Sequence, residues 1–309
     1  MIVFDSHCDT ASRILDEGEG LDVNGGQVDL RRLLSYDGAA QFFAAFVDKK
    51  EFPHSYVRCT DILKNFIAVA SRNTHIEIVT GFEQMTRAVG GGRVAAFLTV
   101  EGGEALEGDI GNLRRLYDLG VRCLTLTWNY DNELASGTYG GNGGLTAFGR
   151  EVVRDMDGMG MIIDLSHISH KAFFEVCEAS SKPIIASHSN SYVVCAHPRN
   201  ITDEQFACIV NKKGMVGINF LPLFLNNTDR AGVSDIIKHI EYFLVLGGEN
   251  SVGLGADFDG ITETPSDVRD AGCYGVLYNE LLRLNYSQQL ADKIFYKNYF
   301  EFIKLRLSH

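Results

Sequence analysis

The chain has 309 residues, 45% hydrophobic and 22% charged, with a formal net charge of -12 and a pI near 5.2. That is the composition of a globular chain with a large core, and its acidity, with no basic patch, argues against nucleic acid and anionic membrane as partners. No apolar run approaches the roughly 20 residues that span a bilayer, Asp5, His7 and Asp9 interrupt the place of a signal-peptide core, and seven scattered cysteines without a C-x-x-C pair predict a cytoplasmic protein with reduced thiols.

Eight short apolar runs read as strands: IVFDS (2–6), AAQFFAAFV (39–47), RVAAFLTV (93–100), VRCLTLTW (121–128), GMIIDLS (160–166), KPIIASH (182–188), GMVGINF (214–220) and SVGLGAD (251–257). They are almost continuously apolar, as parallel strands covered on both faces should be. Amphipathic stretches at 57–71, 110–119, 146–158, 170–179, 203–212 and 231–247 lie between them. Ser169 and Thr202 mark helix starts, and Gly120, Gly160 and Gly247 mark stops. Residues 274–306 read as two helices packed on the outside. Strand and helix in repeated alternation predict an α/β fold, a (β/α)8 TIM barrel, as one domain over residues 1–309. A doubly wound open sheet is the alternative.

The polar residues fall at the C-terminal strand ends: His7 and Asp9, Glu101, His167, His188 and Asp257. In a parallel barrel these ends share one mouth, where barrel enzymes place their chemistry. Side chains at i and i+2 share a strand face, so His7 and Asp9 can point inward together while Cys8 packs outward. Each residue alone has a plainer reading. A Glu after a strand can be a solvated turn residue, a His can be a bonded core residue, and Asp257 can satisfy backbone amides at the turn made by Gly260. Together they are harder to explain, because burying so many titratable groups at one rim is costly unless a divalent metal compensates them. A ligand set of His, Asp and Glu without thiolate suits zinc, with manganese or cobalt as substitutes. Five ligands exceed one structural zinc but fit two catalytic ions sharing a carboxylate, a centre that holds a bridging hydroxide nucleophilic at neutral pH.

The sequence resembles the membrane dipeptidase (renal dipeptidase) family of zinc metallopeptidases, within the metal-dependent amidohydrolase-like barrels, and its soluble bacterial members in particular. The likeness runs through DSHCD, GGQVDLRRL, VEGGEAL, LTLTWNYDNELASG, DLSHIS, ASHSNSYVVCAHPRN and GLGADFDG, in family order over the whole chain. It implies two Zn2+ per chain and hydrolysis of dipeptides, L-D dipeptides included. His7 and Asp9 match the ligands of one zinc, Glu101 the bridging carboxylate, and His167 and His188 the ligands of the second. Asp257 matches the acid/base aspartate, in preference to Asp259. Arg199 matches the arginine that pairs with the dipeptide's free carboxylate, a role that suits a planar, permanently charged fork. The membrane-bound mammalian enzymes carry a histidine after LTLT that holds the substrate carbonyl; here the position is Trp128, whose indole can donate one N–H but no charge. Trp128 therefore lines the mouth or reshapes it, and Asn129 or Asn132 is the candidate replacement donor.

Two rivals share these residues. Another metal-dependent amidohydrolase, such as an N-acyl-amino-acid deacylase, would accept substrates without a free α-amine. A catalytically decayed binding barrel would hold ligand without turnover. The sequence leaves oligomeric state open, a homodimer included.

Overall fold

The computed structural model describes residues 1–308. Its strands are β1 (Ile2–Cys8), β2 (Gly38–Phe46), β3 (Ile76–Ile78), β4 (Val94–Glu101), β5 (Val121–Thr125), β6 (Ile162–Asp164), β7 (Ile185–Ala186), β8 (Met215–Ile218) and β9 (Val252–Leu254). All pair in parallel, in the order β2-β1-β9-β8-β7-β6-β5-β4, and a direct β2–β4 pairing from Ala39↔Val94 to Phe46↔Glu101 closes the ring. The result is the expected eight-stranded barrel. The ninth strand, β3, was not expected. It flanks only the first half of β4, from Ile76↔Val94 to Ile78↔Ala96, and β5 takes over that edge at Leu98. Three residues flanked by His75 and interrupted by Glu77 carry too little apolar pattern to be seen.

Apolar runs become strands here because both faces are covered. In β4 every residue is buried. Phe4, Phe42 and Phe97 fill the barrel interior, while their neighbours Val3, Phe43 and Leu98 pack under the outer helices. Three of the expected helix boundaries are met at the residue. Thr202 caps Asp203–Asn211 with a reciprocal Gln205 bond, Ser169 caps His170–Ala179, and Gly160 ends Ala147–Met159 with φ +75°. Helices Thr10–Asp16, Leu30–Leu33, Phe82–Gly90 and Pro222–Asn226 were not expected. The tail holds helix Tyr274–Arg283 and then one run from Gln288 to Arg306, with a π turn at Lys293–Lys297.

The last helix closes the N-terminal end of the barrel. Tyr299 stacks on Phe4 at 4.7 Å between ring centroids and donates its O–H to Ser6 Oγ at 2.6 Å. Phe302, Ile303 and Leu307 extend the plug. With that end filled by side chains, the C-terminal mouth is the open end.

Candidate metal centre

The end of β1 is built around a bulge. Its register with β2 runs Ile2↔Gly38 to Asp5↔Gln41 and then resumes at Cys8↔Phe43, so β1 carries one extra residue. Strict alternation would place His7 with Val3 and Asp5, away from the barrel axis. The bulge turns it inward instead. Asp5 holds the bulge. Its carboxylate accepts from the His7 and Ala256 amides, from Gln41 Nε2 and from Tyr274 O–H, at 2.6 to 3.3 Å. Cys8 faces out and is fully buried, with Sγ 3.3 Å from the Phe42 carbonyl. Asp9 occupies the N-cap position of helix Thr10–Asp16 but makes no capping bond. Its side chain turns toward His7.

His7 Nε2 lies 3.4 Å from Asp9 Oδ2, 3.5 Å from Glu101 Oε2 and 3.6 Å from Asp257 Oδ1. The other Glu101 oxygen, Oε1, lies 2.8 Å from His167 Nε2 and 3.5 Å from His188 Nε2. The two imidazoles meet Nε2 to Nε2 at 2.7 Å. Glu101 thus presents one oxygen to each half of the cluster. The six predicted residues converge, from five strand ends, as the sequence led us to expect. Gly260 leaves room for them, since a Cβ there would collide with Asp9 Oδ2 and Asp257 Oδ1. Two of these six residues sit in left-handed backbone, His167 at φ +68° and Asp257 at φ +63°, a conformation that costs a non-glycine residue on the order of 1–3 kcal/mol. Thr138 anchors the first: its N–H and O–H both donate to the His167 carbonyl.

Burial and mutual charge shift the protonation of every group in the cluster. Burial opposes the imidazolium of His7, but Glu101 and Asp9 outweigh it and hold the pKa well above the usual value. Burial and the charge of Glu101 push Asp9 up to about 6. Burial, with Asp9 and Glu101 adding to it, pushes Asp257 up to about 7. Burial and Arg199 push His167 down to about 4, and burial with His7 and His167 holds His188 well below its usual value. His7 Nε2 and Asp9 Oδ1 are buried with no hydrogen-bond partner among the described residues. Oxygen and nitrogen ligands on a tetrahedron around zinc lie roughly 3.3–3.6 Å apart, the spacing seen around His7 Nε2. Two clusters have atoms close enough to share an ion: His7, Glu101 and His188, and His7, Asp9 and Asp257. The donor set and its orphaned atoms fit a divalent metal.

The remaining predicted residues line a cavity of 760 Å³ over this cluster. Arg199 is 4% exposed, its Nε has no partner among the described residues, and the one hydrogen bond of its guanidinium is a long one (3.4 Å) to the His188 carbonyl. A buried guanidinium without a carboxylate partner is poised for an anion. Trp128 packs against Phe46 and Tyr130 and lines the cavity. Asn129 Oδ1 meets His167 Nδ1 at 2.8 Å. Asn132 is spent within its own loop, bonded to Leu126, Glu104, Leu134 and Ala135, so it is no replacement donor. Asp259 is likewise committed, taking Gln27 N–H and Thr10 O–H on its two oxygens. Sequence reasoning passed over Asp5, Asp164, Ser187 and Asn219. A lone Asp inside an apolar strand was the available signal, because a buried carboxylate demands donors.

The sequence profile of the membrane dipeptidase family, peptidase family M19, matches residues 1–305. The chain belongs to that family.

Membrane dipeptidases of known structure share its whole architecture. The chain is similar to the metallopeptidase "dipeptidase AC" of family M19, with a TM-score of 0.93 and 26% identity over 100% of this chain and 99% of that one. It is similar to a metallopeptidase from Rhodobacter sphaeroides bound to a phosphinate mimic of L-Ala-D-Ala, with a TM-score of 0.91 and 25% identity over 99% of each chain. An uncharacterized protein from the pqqA 5′ region of Klebsiella pneumoniae is 34% identical over 216 residues, 66% of this chain and 79% of that protein. Membership makes this a metal-dependent dipeptidase fold with hydrolase chemistry. Among the described residues no helix is long and apolar enough to cross a membrane.

Proposed function

We propose that the chain hydrolyses dipeptides, L-D dipeptides among them, at a binuclear zinc centre. The observation that carries this reading is Glu101, with one oxygen beside His7 and the other beside His167 and His188. His7 and Asp9 would hold one ion, His167 and His188 the other, and Glu101 both. Bound there, the ions supply an activated water and a polarised scissile carbonyl. Asp257 Oδ1 faces the centre while Oδ2 is held by Asn219 Nδ2 at 2.8 Å. It takes the proton from the attacking water and passes one to the leaving amine. Arg199 binds the carboxylate end through its fork of N–H groups. Trp128 and the apolar wall formed by Leu221, Leu223 and Phe224 enclose the residue bearing that carboxylate. The inclusion of L-D dipeptides is supported by the L-Ala-D-Ala mimic held by the Rhodobacter sphaeroides relative. All seven cysteines are unpaired, which supports a cytoplasmic setting.

The test is a panel of L-L and L-D dipeptides, each with its N-acetyl form, on zinc-reconstituted protein. Turnover of free dipeptides only supports the reading. Preference for the N-acetyl forms would make the chain a deacylase, and binding without turnover would make it a decayed barrel.

A further inference from the structure

His167 and His188 can both present a lone pair to a cation only if both Nε2 atoms are bare, so each ring must carry its proton on Nδ1. The partners of the two Nδ1 atoms decide this. For His188 the partner is Ser187 Oγ at 2.7 Å. Ser187 has one proton to give, and its Oγ also lies 2.6 Å from Asp164 Oδ2.

Asp164 is full of incoming hydrogen bonds. Oδ1 accepts the amides of Ser166 and Ser187 at 3.0 and 2.8 Å. Oδ2 accepts the hydroxyls of Thr125 and Ser187, both at 2.6 Å. Four donors on a carboxylate 1% exposed satisfy its lone pairs. Ser187 Oγ also lies 3.3 Å from Ser166 Oγ, but its 2.6 Å contact with Asp164 is the shorter, two oxygens at that distance need a proton between them, and a carboxylate can only accept. The Ser187 proton therefore points at Asp164, and toward His188 the Ser187 Oγ accepts. That requires Nδ1–H on His188 and leaves Nε2 bare.

We propose that Asp164, acting through Ser187, is a positioning residue that sets the tautomer of His188 and so makes it a metal ligand. The inference rests on the metal-centre reading above. His167 has a weaker counterpart in Asn129 Oδ1, since a carboxamide can turn either end to the ring while the Asp164–Ser187 relay runs one way.

Asp164→Asn tests it by reversing the relay. The two backbone amides keep the carboxamide oxygen at the Oδ1 position, so the NH2 group replaces Oδ2. Ser187 must then accept from Asn and donate to His188 Nδ1, which puts the proton on Nε2. Two readouts apply. Nitrogen-15 NMR of the metal-free protein should show Nδ1–H on His188 in the parent and Nε2–H in Asp164→Asn. Zinc affinity by chelator competition should fall about 10- to 100-fold for one of two ions, the usual effect of losing such a support. Ser187→Ala, which cuts the relay but keeps both backbone bonds to Asp164, should give mixed tautomers and a smaller loss. Thr125→Val, which removes a donor outside the relay, should leave the tautomer unchanged. An unchanged His188 tautomer in both Asp164→Asn and Ser187→Ala would overturn the proposal, and the Ser187→Ala result decides it if Asp164→Asn does not fold. A switched tautomer with full zinc affinity would instead support the relay and remove His188 from the metal centre.

Discussion

Asn219 holds Asp257 by one oxygen only: its Nδ2 donates to Oδ2 at 2.8 Å, while Oδ1 stands 3.6 Å from His7 Nε2. Asn219 Oδ1 is itself fixed by the Leu221 amide at 2.7 Å, so the carboxamide cannot rotate. Asp257, the proposed acid/base, therefore has one anchored and one free oxygen. Asn219→Ala should lower kcat by about 10-fold or more, the scale of one hydrogen bond to a charged group, with little change in zinc content. Equal losses of kcat and zinc would show that Asn219 supports the metals instead.

Asp257 also makes a signed prediction for the metal-free protein. Its pKa rises from 3.8 to about 7 on folding, mainly through burial. Between those values the unfolded chain ionises the group and the folded chain resists, so its contribution to stability is full below about 4 and is lost as pH rises through about 7. Asp257→Asn does not titrate. The stability of the Asn variant relative to the parent, both metal-free, should therefore increase from pH 4 to pH 7.5, and urea unfolding at a series of pH values measures it. A gap independent of pH would refute the shift.

The metal count is a direct measurement. Protein purified without chelator should carry about two divalent ions per chain, as a two-metal site requires. His188→Ala should retain the fold by circular dichroism, bind fewer ions and lose turnover. Normal turnover in that variant would take His188 out of the centre.

Arg199 is buried without a carboxylate partner, and the dipeptide should supply one. Arg199→Ala should lower kcat/KM for free dipeptides about 10- to 100-fold, the scale of a charged hydrogen-bonded contact, chiefly through KM. Dipeptide amides, which lack the charge, should be affected far less. An equal effect on acids and amides would end the assignment.

Tyr299 fills the closed end of the barrel, fully buried against Phe4. Tyr299→Ala should destabilise the protein by about 3–5 kcal/mol, the range for deleting a large core aromatic. Tyr299→Phe should cost less, about 1–3 kcal/mol for the loss of one buried hydroxyl partner of Ser6. Thermal or urea unfolding compares the two.

The strands that carry the site were legible because each is an apolar run ending in a residue that has no business in a core. Glu101 follows RVAAFLTV, and His188 follows KPIIAS. The inward pair His7 and Asp9 was expected from i, i+2 spacing, yet the phase of that face depends on the bulge at Asp5, which no local pattern announces. The choice of Asp257 over Asp259 rested on the family likeness and on Asp259 lying further into the turn. The contacts support it, since both Asp259 oxygens are occupied by Gln27 and Thr10. Asn132 looked as available as Asn129 because composition cannot show that its amide is consumed by its own loop. Asp164 reaches Ser187 and Asn219 reaches Asp257 across strands, at sequence separations of 23 and 38 residues, so their meaning exists only after the barrel closes.

The contact between Ser6 and Tyr299 joins residues 293 positions apart. On a ribosome the first strand emerges long before the helix that will seal its lower end. Until Tyr299 arrives, Phe4, Phe42 and Phe97 have no lid, and the nascent barrel shows an aromatic floor to solvent or to a chaperone. A chain halted a dozen residues short would hold every group of the metal centre and still expose that aromatic floor, an apolar patch that favours association.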